Sequence, residues 1–509
     1  MNQPSNRHFS CLWKNLAVFL CLLFGSYLTS KAQQIPASQI VDQLEASIQS
    51  KQFDSIKPYL GEHFSVGAYS RPSADGMYQQ VINKYHELES LSLVSENKDL
   101  HQLEVKYQYK DQDPSISIIQ LDQKGKIDRI ELFDQLYGLH LNKASKPIGN
   151  IPFELVDKKI VVQVHINNHP KVLNMLFDTG ADGIGLKKAV ADEIGLKVSR
   201  QQNTSVVGGT TQVSISSNNT LQLNDKVSLD RQNIAIFPQY DGTLDGLFGG
   251  NVMRDYIVCI DFDAKLLRLY TFGKFDYPAG GSIVPMHFTG TASIETAVNI
   301  RGQQSMANLT FDTGAGYDII LFGPFVKEHH LLDRFRVESY STNISFGHTT
   351  KTSIGRIDTV MIGNKQLYYP TGTLQHYTDG DEKWSHGDGS LGINIIKQFN
   401  VYLNAGSKEF YFVPNQQFGY PSDFWIAQIM YGFEDGKLKV KQLQPGSPAE
   451  KSGLLVGDTV EKINGEKANI FEAYDMIKKY QLTWKRVPIK LTLRRGGKKH
   501  QLDIANMNM

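Results

Sequence analysis

The strongest constraint on this chain is a short pattern that occurs twice. Asp178-Thr179-Gly180-Ala181 closes an apolar run ending in Phe177, and Asp312-Thr313-Gly314-Ala315 closes one ending in Phe311, with 134 positions separating the two aspartates. At ordinary residue frequencies a given four-residue match arises in about one chain per hundred, so two matches in the same context mark a duplicated unit. The surroundings repeat as well. Before the first pattern, apolar alternation over 159–166, a turn at Asn167-Asn168-His169-Pro170 and a second run over 172–177 read as a strand pair. Before the second, 294–300, a turn at Arg301-Gly302-Gln303-Gln304 and 307–311 read the same way. After each pattern a helix ends at a leucine-rich step, Ile194-Gly195-Leu196 or His330-Leu331-Leu332. A glycine turn before two threonines follows, Gly208-Gly209-Thr210-Thr211 or Gly347-His348-Thr349-Thr350. Each copy closes on a step ending in glycine, Leu247-Phe248-Gly249 or Ser390-Leu391-Gly392, then a short helix and strands reaching Leu269 and Phe412. A unit this long is no solenoid repeat. Two of them predict a two-lobed, mainly β body, with lobes over 150–275 and 281–414.

One aspartate per lobe gives such a body a chemistry. Hydrolysis of a peptide bond by water needs a base for the water proton and an acid for the carbonyl oxygen. Two carboxyl groups about 3 Å apart cannot both ionise, so they share one proton and offer both functions. The glycine lets the loop turn tightly and brings N–H groups to the carboxylate, and the threonine hydroxyl can reach the other loop. On these residues 150–414 resembles an aspartic peptidase, with lobes closer to the short retroviral type (retropepsin-like) than to pepsin. The resemblance implies Asp178 and Asp312 as the catalytic dyad and Thr179 and Thr313 as inter-lobe hydrogen bonders. Gly180 and Gly314 support the loops, and Leu247-Phe248-Gly249 packs under the active loop. The second copy departs from that step at Ser390. The segments around Gly208-Gly209 and Gly347-His348 become the flap candidates. Retroviral-type enzymes assemble their dyad by dimerising, so two copies in one chain predict a monomer that acts on polypeptides without cofactor or metal. A body of this kind can also lose activity and only bind. An inactive envelope peptide-binding or scaffold protein is therefore the alternative reading.

Residues 423–507 carry a different pattern. Pro445-Gly446-Ser447-Pro448-Ala449-Glu450-Lys451-Ser452-Gly453-Leu454, then Gly457-Asp458 and Ile463-Asn464-Gly465, resemble a PDZ domain of the kind attached to bacterial envelope proteases of the high-temperature-requirement type. The resemblance implies that Met430-Tyr431-Gly432-Phe433 forms the carboxylate-binding loop, beside which a substrate or partner C-terminus would add as a strand. Upstream, 33–140 reads as α+β. Ile40, Leu44 and Ile48 mark one helix, and Met77, Val81, Tyr85 and Leu88 another. Alternation over 103–109 and a hairpin across Leu121-Asp122-Gln123-Lys124-Gly125-Lys126-Ile127 follow. This order resembles the cone-shaped nuclear-transport-factor-2-like (NTF2-like) fold.

The first 32 residues read as a secretory signal. Arg7 and Lys14 precede an apolar stretch from Leu16 to Leu28, and Ser30-Lys31-Ala32 offers small residues for cleavage after Ala32. About 13 apolar residues fall short of the roughly 20 that a spanning helix needs, and no later stretch is long enough. Cleavage would turn the net charge of +1 into −2 and leave Cys259 as the remaining cysteine. An exported chain with no internal disulfide suits a bacterial periplasm or envelope. Lys+Arg of 53 against Asp+Glu of 52 leaves no basic excess for sequence-independent nucleic-acid binding, and 41% hydrophobic residues exclude a disordered chain. Gly387-Asp388-Gly389-Ser390-Leu391-Gly392 matches a dinucleotide fingerprint in letters only, since no strand is expected before it. His329-His330 has no third ligand at metal spacing and reads as a helix end.

Overall fold

The computed structural model describes residues 35–84, 87–206, 209–239, 242–345, 348–376, 387–483 and 488–504. The signal segment and the flap glycines Gly208 and Gly347 lie outside them. The protein is mainly β, with 49% strand and 18% helix. No described helix is long and apolar enough to cross a membrane. The chain divides into two compact units. One comprises residues up to Phe64 with Met77–Leu132, the other Ser65–Gly76 with Phe133–Met509. The smaller unit therefore ends before the expected boundary at 140. Residues such as Ala68 and Leu139 are buried in the core of the larger one instead.

In the smaller unit the helix Ala37–Ser50 buries Ile40, Val41, Leu44 and Ile48, and Ser47 on the same face accepts a hydrogen bond from the Tyr78 hydroxyl at 2.9 Å. The helix Ser73–Lys84 turns Tyr78, Val81 and Ile82 inward. Leu88, expected on that helix, instead opens the strand Leu88–Asn97, and Tyr85 lies outside the described residues. The antiparallel sheet then runs through Gln102–Tyr109, Ser115–Leu121 and Ile127–Ile130 to Leu60–Val66. Leu103, Val105, Tyr107 and Tyr109 are buried, as their alternation requires. At the hairpin Asp122 explains the tight turn, its Oδ1 accepting the N–H groups of Lys124 and Lys126 at 2.8 and 2.9 Å. Phe133 follows this sheet on the helix Glu131–Leu136.

In the larger unit each copy builds its own sheet. The first has eight strands and the second ten. Lys159–Ile166 pairs with Leu173–Asp178 across a turn where Asn167 and Asn168 take left-handed φ of 53° and 57°, a conformation asparagine tolerates. Arg301 and Gly302 make the equivalent turn, and the strand after it, Gln303–Asp312, starts earlier than the sequence indicates. The described parts of the glycine–threonine segments, Gly209-Thr210-Thr211 and His348-Thr349-Thr350, lie on long strands: Gly209–Gln222 pairs with Arg200–Val206, and His348–Arg356 with Val337–Ser345.

A third sheet of six strands draws three from each side of the duplication: Pro147–Pro152, Leu266–Tyr270 and Ile257–Asp261, then Phe399–Asn404, Glu409–Pro414 and Ser282–Pro285. At its seam Val258, Cys259 and Ile260 pair with Leu403, Tyr402 and Val401. Cys259 is 1% exposed and free, and burial pushes its thiol up to about 12.

The C-terminal sheet begins at Phe424–Ile426 and has its own core, including Tyr431, Val440, Phe471 and Leu491. Its sequence signals each have a local cause. Ser447 caps the helix Pro448–Lys451 by accepting the Glu450 N–H at 3.2 Å. Asp458 is buried because it accepts the Leu455 N–H at 2.9 Å and Arg495 Nε at 2.7 Å. Asn464 and Gly465 supply the left-handed pair of a tight hairpin turn. This sheet packs on the second copy. Ser422 hydrogen bonds to Asp318, Tyr474 stacks on Tyr369 with centroids 4.9 Å apart, and the Tyr474 hydroxyl donates to Glu338 at 3.1 Å. Arg356 lies 5.0 Å over the Tyr474 ring, and Lys158 of the first copy reaches Asp423 at 2.9 Å.

Candidate active site

Each repeated aspartate ends a central strand. Leu173–Asp178 runs parallel to Gly246–Gly249, with Phe177 opposite Phe248 and Asp178 opposite Gly249. Gln303–Asp312 runs parallel to Gly389–Gly392, with Phe311 opposite Leu391 and Asp312 opposite Gly392. The apolar step is therefore a strand neighbour of the active loop. Its last residue must be glycine, because a Cβ at Gly249 would overlap the Asp178 carbonyl and one at Gly392 the Tyr317 carbonyl. The letters that mimic a dinucleotide fingerprint end in the second of these strands, Gly389–Gly392.

The two loops meet through their threonines. Thr179 Oγ1 donates to the Phe311 carbonyl at 2.6 Å, and Thr313 Oγ1 donates to the Phe177 carbonyl at 2.7 Å. Each hydroxyl also accepts the other threonine's N–H at 3.0 Å. Both side chains are fully buried, so this reciprocal arrangement satisfies groups that water cannot reach.

Above the threonines the carboxyl groups of Asp178 and Asp312 stand within hydrogen-bonding reach of each other. Asp178 Oδ1 accepts the Gly180 N–H and Asp312 Oδ1 the Gly314 N–H, both at 2.9 Å. The glycines serve a purpose other than the turn expected of them, since neither has a left-handed φ. A Cβ at Gly180 would stand 2.7 Å from Asp312 Cγ, and one at Gly314 2.5 Å from Asp178 Cγ. Each glycine makes room for the opposite carboxyl. Burial raises the Asp178 carboxyl above the usual carboxylate range. Asp312 is held well above it, by burial first and then by the charge on Asp178. Two facing carboxyls raised in this way favour sharing one proton between them.

Ser390 is a neighbour of Asp312 that the repeated pattern does not assign to the site. Its hydroxyl lies 3.4 Å from Asp312 Oδ2 and 3.3 Å from the Thr310 carbonyl. The departure of the second copy from an apolar step was the available signal.

The first of these loops lies inside a recognisable family. Residues 162–252 match the aspartyl protease family. Residues 439–479 match the PDZ domain. No curated protein matches the chain. The aspartyl protease match runs from the strand before Asp178 through Gly249, and so includes Asp178, Thr179 and Gly180.

In the PDZ-matching region the residues expected to form the carboxylate-binding loop form a strand. Met430, Tyr431, Gly432 and Phe433 are part of a strand, Ile429–Glu434, flanked by Phe424–Ile426 on one side and Lys437–Leu443 on the other. Apolar residues around a glycine here mean a strand facing a core: Tyr431 and Phe433 alternate inward, and a Cβ at Gly432 would overlap the Asp423 carboxylate. The short edge strand is Phe424–Ile426, where the Trp425 carbonyl accepts Gln481 Nε2 from the helix Tyr474–Thr483 at 2.9 Å. Among the described residues no cluster of three or more His, Cys, Asp or Glu could hold a metal ion. His329 packs its ring on Phe325, and His330 faces Asp333 at 3.6 Å.

Proposed function

We propose that the protein is an exported, monomeric aspartic endopeptidase of the bacterial periplasm or envelope, with Asp178 and Asp312 as its dyad. The supporting observation is the pair of facing carboxyl groups, held by loops that are hydrogen bonded through Thr179 and Thr313. A water between the carboxyls attacks the peptide carbonyl carbon. The ionised carboxyl takes the water proton while the neutral one gives its proton to the carbonyl oxygen. The tetrahedral diol then collapses, the carbon–nitrogen bond breaks, and the amine leaves with a proton from the dyad. The PDZ domain adds a second binding event for substrate or partner C-termini on the same chain. The N-terminal unit, read as a nuclear-transport-factor-2-like cone, is assigned no site.

The test is incubation of the purified protein with an unfolded polypeptide from acidic to neutral pH, with and without a statine-type inhibitor. Inhibitor-sensitive cleavage, with a bell-shaped pH profile lost in Asp312→Asn, is the expected result. Peptide binding with no cleavage at any pH would favour the inactive scaffold. Amidating the C-terminus of a protein substrate should raise its KM if the PDZ domain binds that end.

A further inference from the structure

A PDZ domain takes a peptide as one more strand on a sheet edge, and alternate side chains of that strand give specificity. In this protein the chain itself supplies such a strand. The C-terminal sheet runs from Phe424–Ile426 through Ile429–Glu434 to Lys437–Leu443, so Phe424–Ile426 is its outermost strand. It pairs antiparallel with Ile429–Glu434 over three residues, Phe424 with Tyr431, Trp425 with Met430 and Ile426 with Ile429. Its other edge lies against the helix Tyr474–Thr483, whose Gln481 Nε2 donates to the Trp425 carbonyl at 2.9 Å. The strand is thus held between a sheet edge and a helix.

We propose that Phe424–Ile426 is a built-in occupant of the peptide groove, and that an outside segment of pattern Phe-x-Ile binds there once this strand has left. This rests on the reading of the domain as a peptide binder and names what it binds. Phe424 and Ile426 are 2% and 1% exposed and belong to the domain core. The Phe424 ring lies 5.8 Å from that of Tyr431 and 6.0 Å from that of Phe471. Trp425 between them is 39% exposed. The groove therefore reads two apolar side chains two residues apart and leaves the middle one to solvent. The chain continues on both sides of the strand, so the site accepts an internal segment as well as an end. Two features make the strand displaceable. It is three residues long, so few ladder hydrogen bonds hold it. The turn joining it to its neighbour puts Ala427 and Gln428 in the left-handed region, at φ of 53° and 62°, where glycine or asparagine is favoured. A free peptide makes the same strand contacts without that turn.

The experiment uses the full chain carrying Asp178→Asn, so that no probe is cut. To this parent are added Gln481→Ala or, separately, Phe424→Ala together with Ile426→Ala. The probe is a fluorescent peptide of residues 422–428, blocked at both ends and read by anisotropy. Any binding in the peptidase cleft is common to all variants and cancels in the comparison. Gln481→Ala should tighten probe binding about fivefold, because losing one hydrogen bond to the strand raises the fraction of open grooves. The double alanine variant should tighten it by about a hundredfold, since the strand then loses both of its buried side chains. A probe with serine in place of its phenylalanine and isoleucine should bind none of the variants. Thermal unfolding reports whether each variant is folded, and if the double variant is not, Gln481→Ala alone decides. Equal affinity of the parent and Gln481→Ala for the probe would overturn the proposal, because nothing then competes for the groove. A peptide with a free apolar C-terminus that binds every variant equally, where the blocked probe binds none, would also overturn it and leave the domain a peptide receptor. Failure of both peptides on every variant would overturn the peptide-binding reading as well.

Discussion

In the first lobe the strand beside Asp178 presents Leu247, and Lys158 of that lobe forms an ion pair with Asp423 at the start of the C-terminal domain. In the second lobe the equivalent strand presents Ser390 to Asp312, and Asp318, Glu338, Arg356 and Tyr369 all engage the C-terminal domain. Between them, where the loops touch, the lobes match atom for atom. The reason is physical. Each threonine's partners are the backbone of the other copy, so a change on one side orphans groups on both. A residue on an outer flank has no such mirror obligation. Duplication is thus held symmetric at the centre and left free to diverge around it.

The largest effect should come from the acids. Asp178→Asn and Asp312→Asn should each lower turnover by about a thousandfold, in the range expected for losing a positioned acid or base, with thermal unfolding little changed. Full activity in either variant would break the equivalence of the two loops. Next come the glycines. Gly180→Ala and Gly314→Ala should each cost about a hundredfold in kcat, because the new methyl displaces the opposite carboxyl by a substantial fraction of an ångström. Comparable losses would support the symmetric centre, and a loss in one variant alone would show that one carboxyl tolerates displacement. Thr179→Val and Thr313→Val should each destabilise by about 2–4 kcal/mol, since each leaves a buried carbonyl and N–H unpaired. In a double-mutant cycle by denaturant unfolding, the pair should cost less than the two single losses added. The smallest effect tests the asymmetric flank. Tyr474→Ala removes a ring stack and a cation–π contact and should destabilise by about 1–2 kcal/mol, with short-peptide turnover unchanged. A large fall in turnover would mean that the PDZ domain supports the lobe-two hairpin.

The duplicated pattern made the centre of the molecule legible, because Asp178 and Asp312 are marked by neighbours whose types are dictated by contact: Thr179, Gly180, Phe177 and their copies. The six-stranded sheet was not legible. Pairing Val258 with Leu403 joins strands far apart in sequence, and apolar alternation names a buried face without naming its partner. Ser390 escaped because a single hydroxyl in an apolar step reads as a blemish until the carboxylate it faces is seen. Met430-Tyr431-Gly432-Phe433 misled for the converse reason. A glycine among apolar residues fits an anion-binding loop and a core-facing strand equally, and Asp423, which requires that glycine, lies just before the neighbouring strand Phe424–Ile426.

The seam of the six-stranded sheet has a consequence for watching the molecule at work. Cys259 lies on the strand where the duplicated halves join, opposite Tyr402, with its sulfur shut away from solvent and its thiol reluctant to ionise. A maleimide or iodoacetamide can reach it only when that strand pair parts. Alkylation at Cys259, resolved by peptide mapping from any at Cys11 and Cys21, therefore acts as a slow clock for separation of the halves. Read with and without a tight ligand in the cleft, the same clock measures how firmly an occupied site clasps the two halves together.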